Sequence, residues 1–411
     1  MTYIIVAMVL STVAMGLASR SALIGRVSWA AVAVALVSVV AGARDLDVTP
    51  DMLLYGNGMF ERVASTSSFD AAISIAGAEV QNPEVGYVWL NYVVSRLTAD
   101  PHAFYFVLAA VSACVVASAI ILTRAYGPTW LMWLTYLCTA YLDSFNLLRQ
   151  APALALALLG IALVLRRRYW WAALAGLLGL LFHATAVIFI PMWAAAVVIR
   201  RSKRPQRLVF WVIAIALAVA AGSSALLDAF GGALSETKYG FYLEETTHGG
   251  IALGFETLYR LVPLFLAVVI IRRNLRQHHR TRDTHAPTAP AMRRAVRSTP
   301  GGPLASLDTR TDERIALTSS TSVLFALTTL LAVELFILPV RELAFGLYRV
   351  PMYFGFIRII GYGAIIGAVA NRKLAARIAA VAFVLGYFVF MVLGRTGIEY
   401  RSAMLDTWFL G

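Results

Sequence analysis

Apolar residues fall in blocks of near-spanning length, at about residues 2–18, 27–43, 102–123, 129–143, 151–166, 169–183, 184–199, 208–227, 254–271, 315–338, 347–370 and 375–393. A helix needs about 20 such residues to cross the hydrocarbon of a bilayer. Inside lipid every backbone N–H and C=O must be bonded internally, which makes the helix the default form. The pattern predicts an all-α, polytopic transmembrane bundle of about twelve spans. It would be a single integral membrane domain over residues 1–411. Some blocks are short, and the pairs that meet around Asp143–Gln150 and around His183 read as tight hairpins. The first block opens at Thr2 with no basic stretch before it. It is therefore expected to be the first span rather than a cleaved signal peptide.

Two connections have a character of their own. The stretch 44–101 holds eight acidic and three basic residues, with turn signals at Asn82-Pro83 and Asp100-Pro101. Between those turns Glu84, Tyr87, Asn91 and Ser95 recur at steps of three, four and four, while Val85, Trp89 and Tyr92 lie off that line. The spacing predicts an amphipathic helix with a polar stripe at the outer membrane interface, within an extracytoplasmic segment. The stretch 272–314 is rich in Arg, Thr, Pro and His and lacks apolar periodicity. It is expected to be a disordered basic loop in the cytoplasm.

Composition sharpens this picture. With 60% hydrophobic and only 14% charged residues, the chain has more apolar surface than one soluble core could bury. The net charge of +13 could suggest nucleic acid, but the charge sits in short clusters at the ends of apolar blocks, such as Arg166–Arg168. That is the pattern of loops retained on the cytoplasmic side. Alternating spans from an outside N-terminus puts 24 of the 35 Lys and Arg residues in the cytoplasm, so both termini are expected outside. Nucleic acid is excluded as a partner. The two cysteines, Cys114 and Cys138, lie inside apolar blocks and imply neither a disulfide framework nor a thiolate metal site. The histidines lack ligand spacing, so no metal is expected. No cofactor is implied, and the absence of a Gly-Lys-Ser/Thr phosphate loop argues against nucleotide hydrolysis.

Charged groups within spans cost about 2.5–3.5 kcal/mol or more, so those present are candidates for function. On the outer side these are Arg149, His183, Arg260, Arg349 and Arg358, with Glu256 and Glu334 as acids. Arg149 closes the turn Asn146-Leu147-Leu148-Arg149-Gln150, and Pro152 suits the first turn of the helix that follows. A guanidinium beside a helix N-terminus favours an anion, phosphate above all. The plainer reading is an arginine reaching for lipid headgroups. His183 is either a buried neutral histidine or a proton carrier. Glu256 and Arg260, spaced i,i+4, could pair with each other. Arg349 and Tyr353 share a helical face. Arg358 lies about 180° away from it, as a deeper ligand or a partner for Glu334.

The order of these motifs is distinctive. Arg44 precedes Val48-Thr49-Pro50-Asp51-Met52-Leu53-Leu54-Tyr55 and Phe60, and then come Glu84-Val85-Gly86-Tyr87 and Asn91. Asn146-Leu147-Leu148-Arg149-Gln150 and Phe182-His183 follow, then Lys238-Tyr239 with Tyr242, and Tyr348-Arg349 with Tyr353. The set resembles the EpsG family of Wzy-like polysaccharide polymerases over residues 44 to 355, with Thr49 in place of the family's Gly.

The resemblance implies a glycosyltransferase of the bacterial cytoplasmic membrane. It would polymerise polyprenyl-pyrophosphate-linked oligosaccharide repeat units into an exopolysaccharide or other cell-surface polysaccharide at the outer face. Carried over residue by residue, Arg149 and Arg349 would hold pyrophosphate, with Arg260 and Arg358 as further cations. Glu84 or His183 would orient or deprotonate the acceptor, with Asp51 as a third choice. Tyr87 and Asn91 would line the sugar cleft, and Gln150 and Tyr353 are further substrate-binding candidates. Expected partners are the lipid-linked oligosaccharide, membrane lipid, and a chain-length regulator or other polysaccharide-assembly protein. The alternatives are an O-antigen-ligase-like or acyl transferase, and a transporter or flippase for lipid-linked sugars.

Overall fold

The computed structural model describes residues 2–47, 49, 51–79, 84–202, 204–222, 255–283, 304–338, 349–370, 374–389 and 400–410. No strand occurs among them; the chain is all-α. The first two apolar blocks form α1 (Thr2–Arg20) and α2 (Leu23–Gly42), an antiparallel pair. α1 buries Ile4, Ala7, Met8, Ser11, Ala14, Met15 and Ala18, while Val6, Val9, Leu10 and Val13 are exposed. Buried positions at steps of three and four define one face. The bulky apolar residues on the other face are at home only in lipid.

The stretch 44–101 is not a loop. A π-helical turn at Met52–Gly56 leads into α3 (Asn57–Ala64), α4 (Phe69–Glu79) and α5 (Val85–Ser95). These pack a second apolar cluster, including Met52, Phe60, Val63, Tyr87 and Leu148, onto Phe104 and Tyr105 at the start of α6 (Pro101–Thr123). Asp100 caps α6 by accepting from the His102 N–H at 2.9 Å, with Pro101 in the first turn. α5 falls where the periodicity placed it, and the structure orients it. Its polar stripe turns inward, with Tyr87 and Asn91 buried, while Val85 and Trp89 are about half exposed.

α7 (Thr129–Tyr136) runs into a second π-helical turn, Leu137–Tyr141, and then a 3-10 turn at Asp143–Phe145. α8 (Gln150–Leu165) follows and is buried along nearly its whole length. α6, α9 (Tyr169–Phe182) and α10 (Phe189–Arg201) pack around it, and α11 (Pro205–Ala221) packs on α10. The later helices are Phe255–Asp283, Leu304–Ile337, Arg349–Gly355, Ile357–Ala370, Leu374–Tyr387 and Ala403–Leu410. Among the described residues five helices are long and apolar enough to cross a membrane: Thr2–Arg20, Leu23–Gly42, Pro101–Thr123, Ala184–Arg201 and Arg349–Ala368. Shorter apolar helices, including Gln150–Leu165, Tyr169–Phe182 and Leu374–Tyr387, coincide with other predicted blocks.

The ends of the basic 272–314 stretch continue the flanking helices, to Asp283 and from Leu304. Residues 284–303 lie outside the described residues. So do the 228–253 connection, with Lys238, Tyr239 and Tyr242, and the side chain of Glu256.

A buried ionic cluster ties the later helices together. Nε of Arg260 donates to Oε1 of Glu334 at 2.9 Å, and Nε of Arg358 donates to Oε1 and Oε2 at 2.9 and 3.1 Å. Nη2 of Arg358 also donates to Glu334, and Nη1 donates to the Tyr387 hydroxyl at 2.7 Å. Two guanidiniums thus share one carboxylate in the interior, where an uncompensated charge costs several kcal/mol. Glu334→Gln should lower stability by about 3–5 kcal/mol, read as a large fall in melting temperature of the purified protein in detergent. An unchanged melting temperature would show that the cluster is hydrated rather than buried.

Candidate functional site

The two breaks expected around Asp143–Gln150 and His183 are both present, and they meet. Arg149 sits at the N-cap of α8, and the preceding 3-10 turn positions it. Nη1 of Arg149 donates to Oε2 of Glu84 at 2.7 Å, and its Cζ lies 3.8 Å from the centre of the Tyr55 ring. That ring supplies a second, cation–π contact, delivered by the π-helical turn Met52–Gly56. Single π turns in helices recur at functional sites, and here the turn also places Asp51 at its mouth.

Glu84 is the N-cap residue of α5, yet its side chain makes no capping bond. Instead it reaches across to two distant segments. Oε2 takes Arg149, and Oε1 lies 3.1 Å from Nδ1 of His183. His183 is the extended residue that ends α9 before the 3-10 turn Ala184–Ile188. Its other nitrogen, Nε2, lies 3.4 Å from Nη1 of Arg349. A guanidinium can only donate, so this contact leaves the histidine proton on Nδ1, donating to Glu84. The result is a relay, Arg349–His183–Glu84–Arg149, joining segments that are far apart in the chain. Tyr353, one turn beyond Arg349, hydrogen-bonds Thr185 through its hydroxyl at 3.1 Å.

Asp51 completes the set. Its N–H donates to Oδ1 of Asn146 at 3.3 Å, and its carboxylate accepts from the Leu148 N–H. Burial raises its pKa above the ordinary 3.8, against the opposing pull of Arg349 and Arg149. The Gln150 carboxamide, next after Arg149 in the chain, is buried, and neither of its polar atoms has a hydrogen-bond partner among the described residues; Oδ1 of Asn91 likewise has none. Buried amides without partners are rare, and each calls for an explanation. Gln150 directly follows Arg149 and suits a polar ligand there.

The structure brings together Asp51, Glu84, Arg149, Gln150, His183, Arg349 and Tyr353. It separates Arg260 and Arg358, which are bound to Glu334. The separation follows from helical spacing, since nine residues put Arg358 about 180° from Arg349, and the helix is also interrupted at Phe356. Tyr87 braces the site, because its hydroxyl donates to the Tyr55 carbonyl at 2.8 Å. Asn91 donates to the Tyr87 carbonyl at 2.9 Å.

One residue of interest was left out of the sequence-based candidates, although it opens the motif series. Arg44 is buried at the end of α2, with its Cζ 4.7 Å from the Tyr105 ring centre and 4.5 Å from that of Phe145. Burial lowers its pKa to about 10, which still leaves it charged at neutral pH. Its position between a span and an acidic, aromatic stretch was the available signal.

The family model of the EpsG family matches residues 3–291. The chain belongs to the EpsG family. No curated protein and no solved structure matches the chain. Asp51, Glu84, Arg149 and His183 fall within the family match, whereas Arg349 and Tyr353 lie beyond it and join the site through the fold.

The approach of α5 to α9 sets the Glu84–His183 distance, and Gly86 permits it. A Cβ at Gly86 would lie 2.9 Å from the Leu181 carbonyl oxygen, a clash with backbone. Gly86→Ala should therefore push the two helices apart and cost about 1–3 kcal/mol, measured as a lower melting temperature with reduced activity. Unchanged stability and activity would show that α5 can shift without disturbing the site.

Proposed function

We propose that this protein polymerises lipid-linked oligosaccharide repeat units, acting as a glycosyltransferase at the outer face of the bacterial cytoplasmic membrane with both termini outside. The observation that carries the reading is the convergence of Arg149 and Arg349 on the Glu84–His183 pair, beside a carboxylate with a raised pKa. The donor in such a reaction is a glycan on a polyprenyl pyrophosphate, and the acceptor is a sugar hydroxyl on a second carrier-linked unit. The acceptor oxygen forms a bond to the donor's anomeric carbon as the bond from that carbon to the pyrophosphate oxygen breaks. The carrier pyrophosphate leaves with the electron pair, and the acceptor's hydroxyl proton passes to a base.

Each role has a residue. Arg149 holds one donor fork on Glu84 in the resting protein, which orients it, and its remaining donors and the start of α8 suit a phosphate oxygen. Arg349 adds a second fixed charge through the neutral His183. Charge developing on the leaving group is stabilised by cations that are already in place. Arg149 and His183 each hold one oxygen of Glu84, which favours its carboxylate form and weakens it as a base, and both nitrogens of His183 are engaged within the relay. Asp51 is therefore the base, and Gln150 and Asn91 supply sugar contacts. A chain-length regulator or another assembly protein would act with it.

The sign of the pH dependence follows. Asp51 must be ionised to accept a proton, and burial raises its pKa. Activity should then fall as pH drops, at a pH higher than that of an ordinary aspartate. Asp51→Asn should cost about 100- to 10,000-fold in kcat and abolish that acid limb, with binding of the lipid-linked unit retained. Polymerisation of purified lipid-linked repeat units, followed by gel ladder, measures both. A ladder of normal rate from Asp51→Asn would refute Asp51 as the base. A wild-type protein that makes no polymer and instead moves the intact units across a vesicle bilayer would refute the polymerase.

A further inference from the structure

Two adjoining cavities lie at the opposite end of the bundle from the candidate site. Gly42, at the end of α2, packs on His102 and Phe106 at the start of α6, which is the end that carries the site. The 23 residues of α6 then run about 35 Å to Arg124. There a cavity of about 600 Å³ is lined by Arg20 from the end of α1, Arg124 and Tyr126 from the turn after α6, Trp130 from α7, and Arg377. A second cavity, of about 300 Å³, runs along α1 beside Thr12, Val13, Gly16 and Leu17. The two share Arg20 and Trp130.

Their chemistry differs sharply. The larger cavity has three guanidinium groups from three separate stretches of chain and no acidic side chain among its described lining residues. The smaller is almost wholly apolar and opens toward the side where Val13 and Leu17 are exposed, the side that must face lipid tails. Its depth comes from Gly16, where an added Cβ would meet only Trp130 at an ordinary 3.5 Å. The walls are fixed: the Thr129 hydroxyl donates to the Met15 carbonyl at 3.3 Å, and the Tyr126 hydroxyl donates to Leu165 at 3.1 Å. A tryptophan at the boundary between a basic pocket and an apolar groove matches the level of lipid headgroups.

We propose that this pair of cavities is a binding site for one anionic phospholipid of the leaflet opposite the candidate site. Its phosphate lies among Arg20, Arg124 and Arg377, and an acyl chain lies in the groove beside Gly16. Charge complementarity selects the anion, since basic pockets between spanning helices hold anionic headgroups. The continuous apolar groove selects a lipid over a free phosphate.

The full-length protein, purified in a non-ionic detergent, would be titrated with phosphatidylglycerol, phosphatidylcholine and glycerol 3-phosphate. Retained lipid would be read by native mass spectrometry alongside melting temperature. Phosphatidylglycerol should bind and raise the melting temperature, phosphatidylcholine should bind at least about tenfold more weakly, and glycerol 3-phosphate should have no effect at the same concentration. The double variant Arg124→Gln, Arg377→Gln should lose phosphatidylglycerol binding by about tenfold or more. Gly16→Leu, which leaves every charge in place, should weaken phosphatidylglycerol by filling the groove. Equal retention of both lipids, or unchanged phosphatidylglycerol binding in Gly16→Leu, would overturn the proposal. Stabilisation by glycerol 3-phosphate equal to that by phosphatidylglycerol would reduce the site to a free-phosphate pocket and overturn it too.

Discussion

A charged side chain buried inside a membrane bundle is costly without compensation, and two glutamates gather four arginines here. Glu84 engages Arg149 directly and Arg349 through His183. Glu334 engages Arg260 and Arg358. Burying a guanidinium with no partner would cost several kcal/mol, so each glutamate fixes the meeting of segments far apart in sequence. The two clusters differ in what surrounds them. Around Glu334 the arginine donors go to the carboxylate and to Tyr387, which is the arrangement of a clamp. Around Glu84 there are the buried Gln150 amide with no partner among the described residues, an aspartate with a raised pKa and the start of a helix buried along nearly its whole length, which is the arrangement of a candidate site.

Breaks in helices build that site. α8 begins, α9 ends and α5 begins, all within reach of one carboxylate, with Arg349 of the helix Arg349–Gly355 beside them. The π turns at Met52–Gly56 and Leu137–Tyr141 rotate the chain so that Tyr55 and the 143–149 turn face it. Helix termini carry polar groups not used by the helix itself, so an interior made of termini can bind an anion where one made of continuous helices could not. Gly86 allows the close approach of α5 to the end of α9.

Much of this was legible in the sequence. Block lengths gave the helices, and the interruptions at Asp143–Gln150 and at His183 marked the two breaks that matter most. The Glu84 stripe was legible as a pattern, but not as a direction. In water a polar stripe faces out, whereas here lipid takes the apolar side and the stripe turns in. Arg260 looked like a substrate ligand because sequence shows depth and charge but not pairing, and Glu334, 74 residues away, could not be assigned to it by spacing; for Arg358 a partnership with Glu334 was one of the two readings open, and it is the one the structure shows. The helices within 44–101 were missed in part because Phe60, Val63 and Leu148 form one cluster only when the chain is folded. The choice of base is likewise a matter of contacts: Glu84 and His183 are the more conspicuous residues, and their pairing with each other and with Arg149 and Arg349 is not visible in the sequence.

The central claim is that the arginines gathered around Glu84 bind a diphosphate, with Arg149 as the main ligand. The most direct test is equilibrium binding of geranylgeranyl diphosphate and of the parent alcohol geranylgeraniol to purified wild-type and Arg149→Lys protein. A bidentate contact to phosphate requires the planar guanidinium rather than charge alone, and a charge-assisted hydrogen bond contributes about 1.5–3 kcal/mol. The account predicts that wild type prefers the diphosphate over the alcohol and that Arg149→Lys loses about 10- to 100-fold in diphosphate affinity, with alcohol binding unchanged. Equal diphosphate affinity for wild type and Arg149→Lys, or no preference for the diphosphate in wild type, would contradict it.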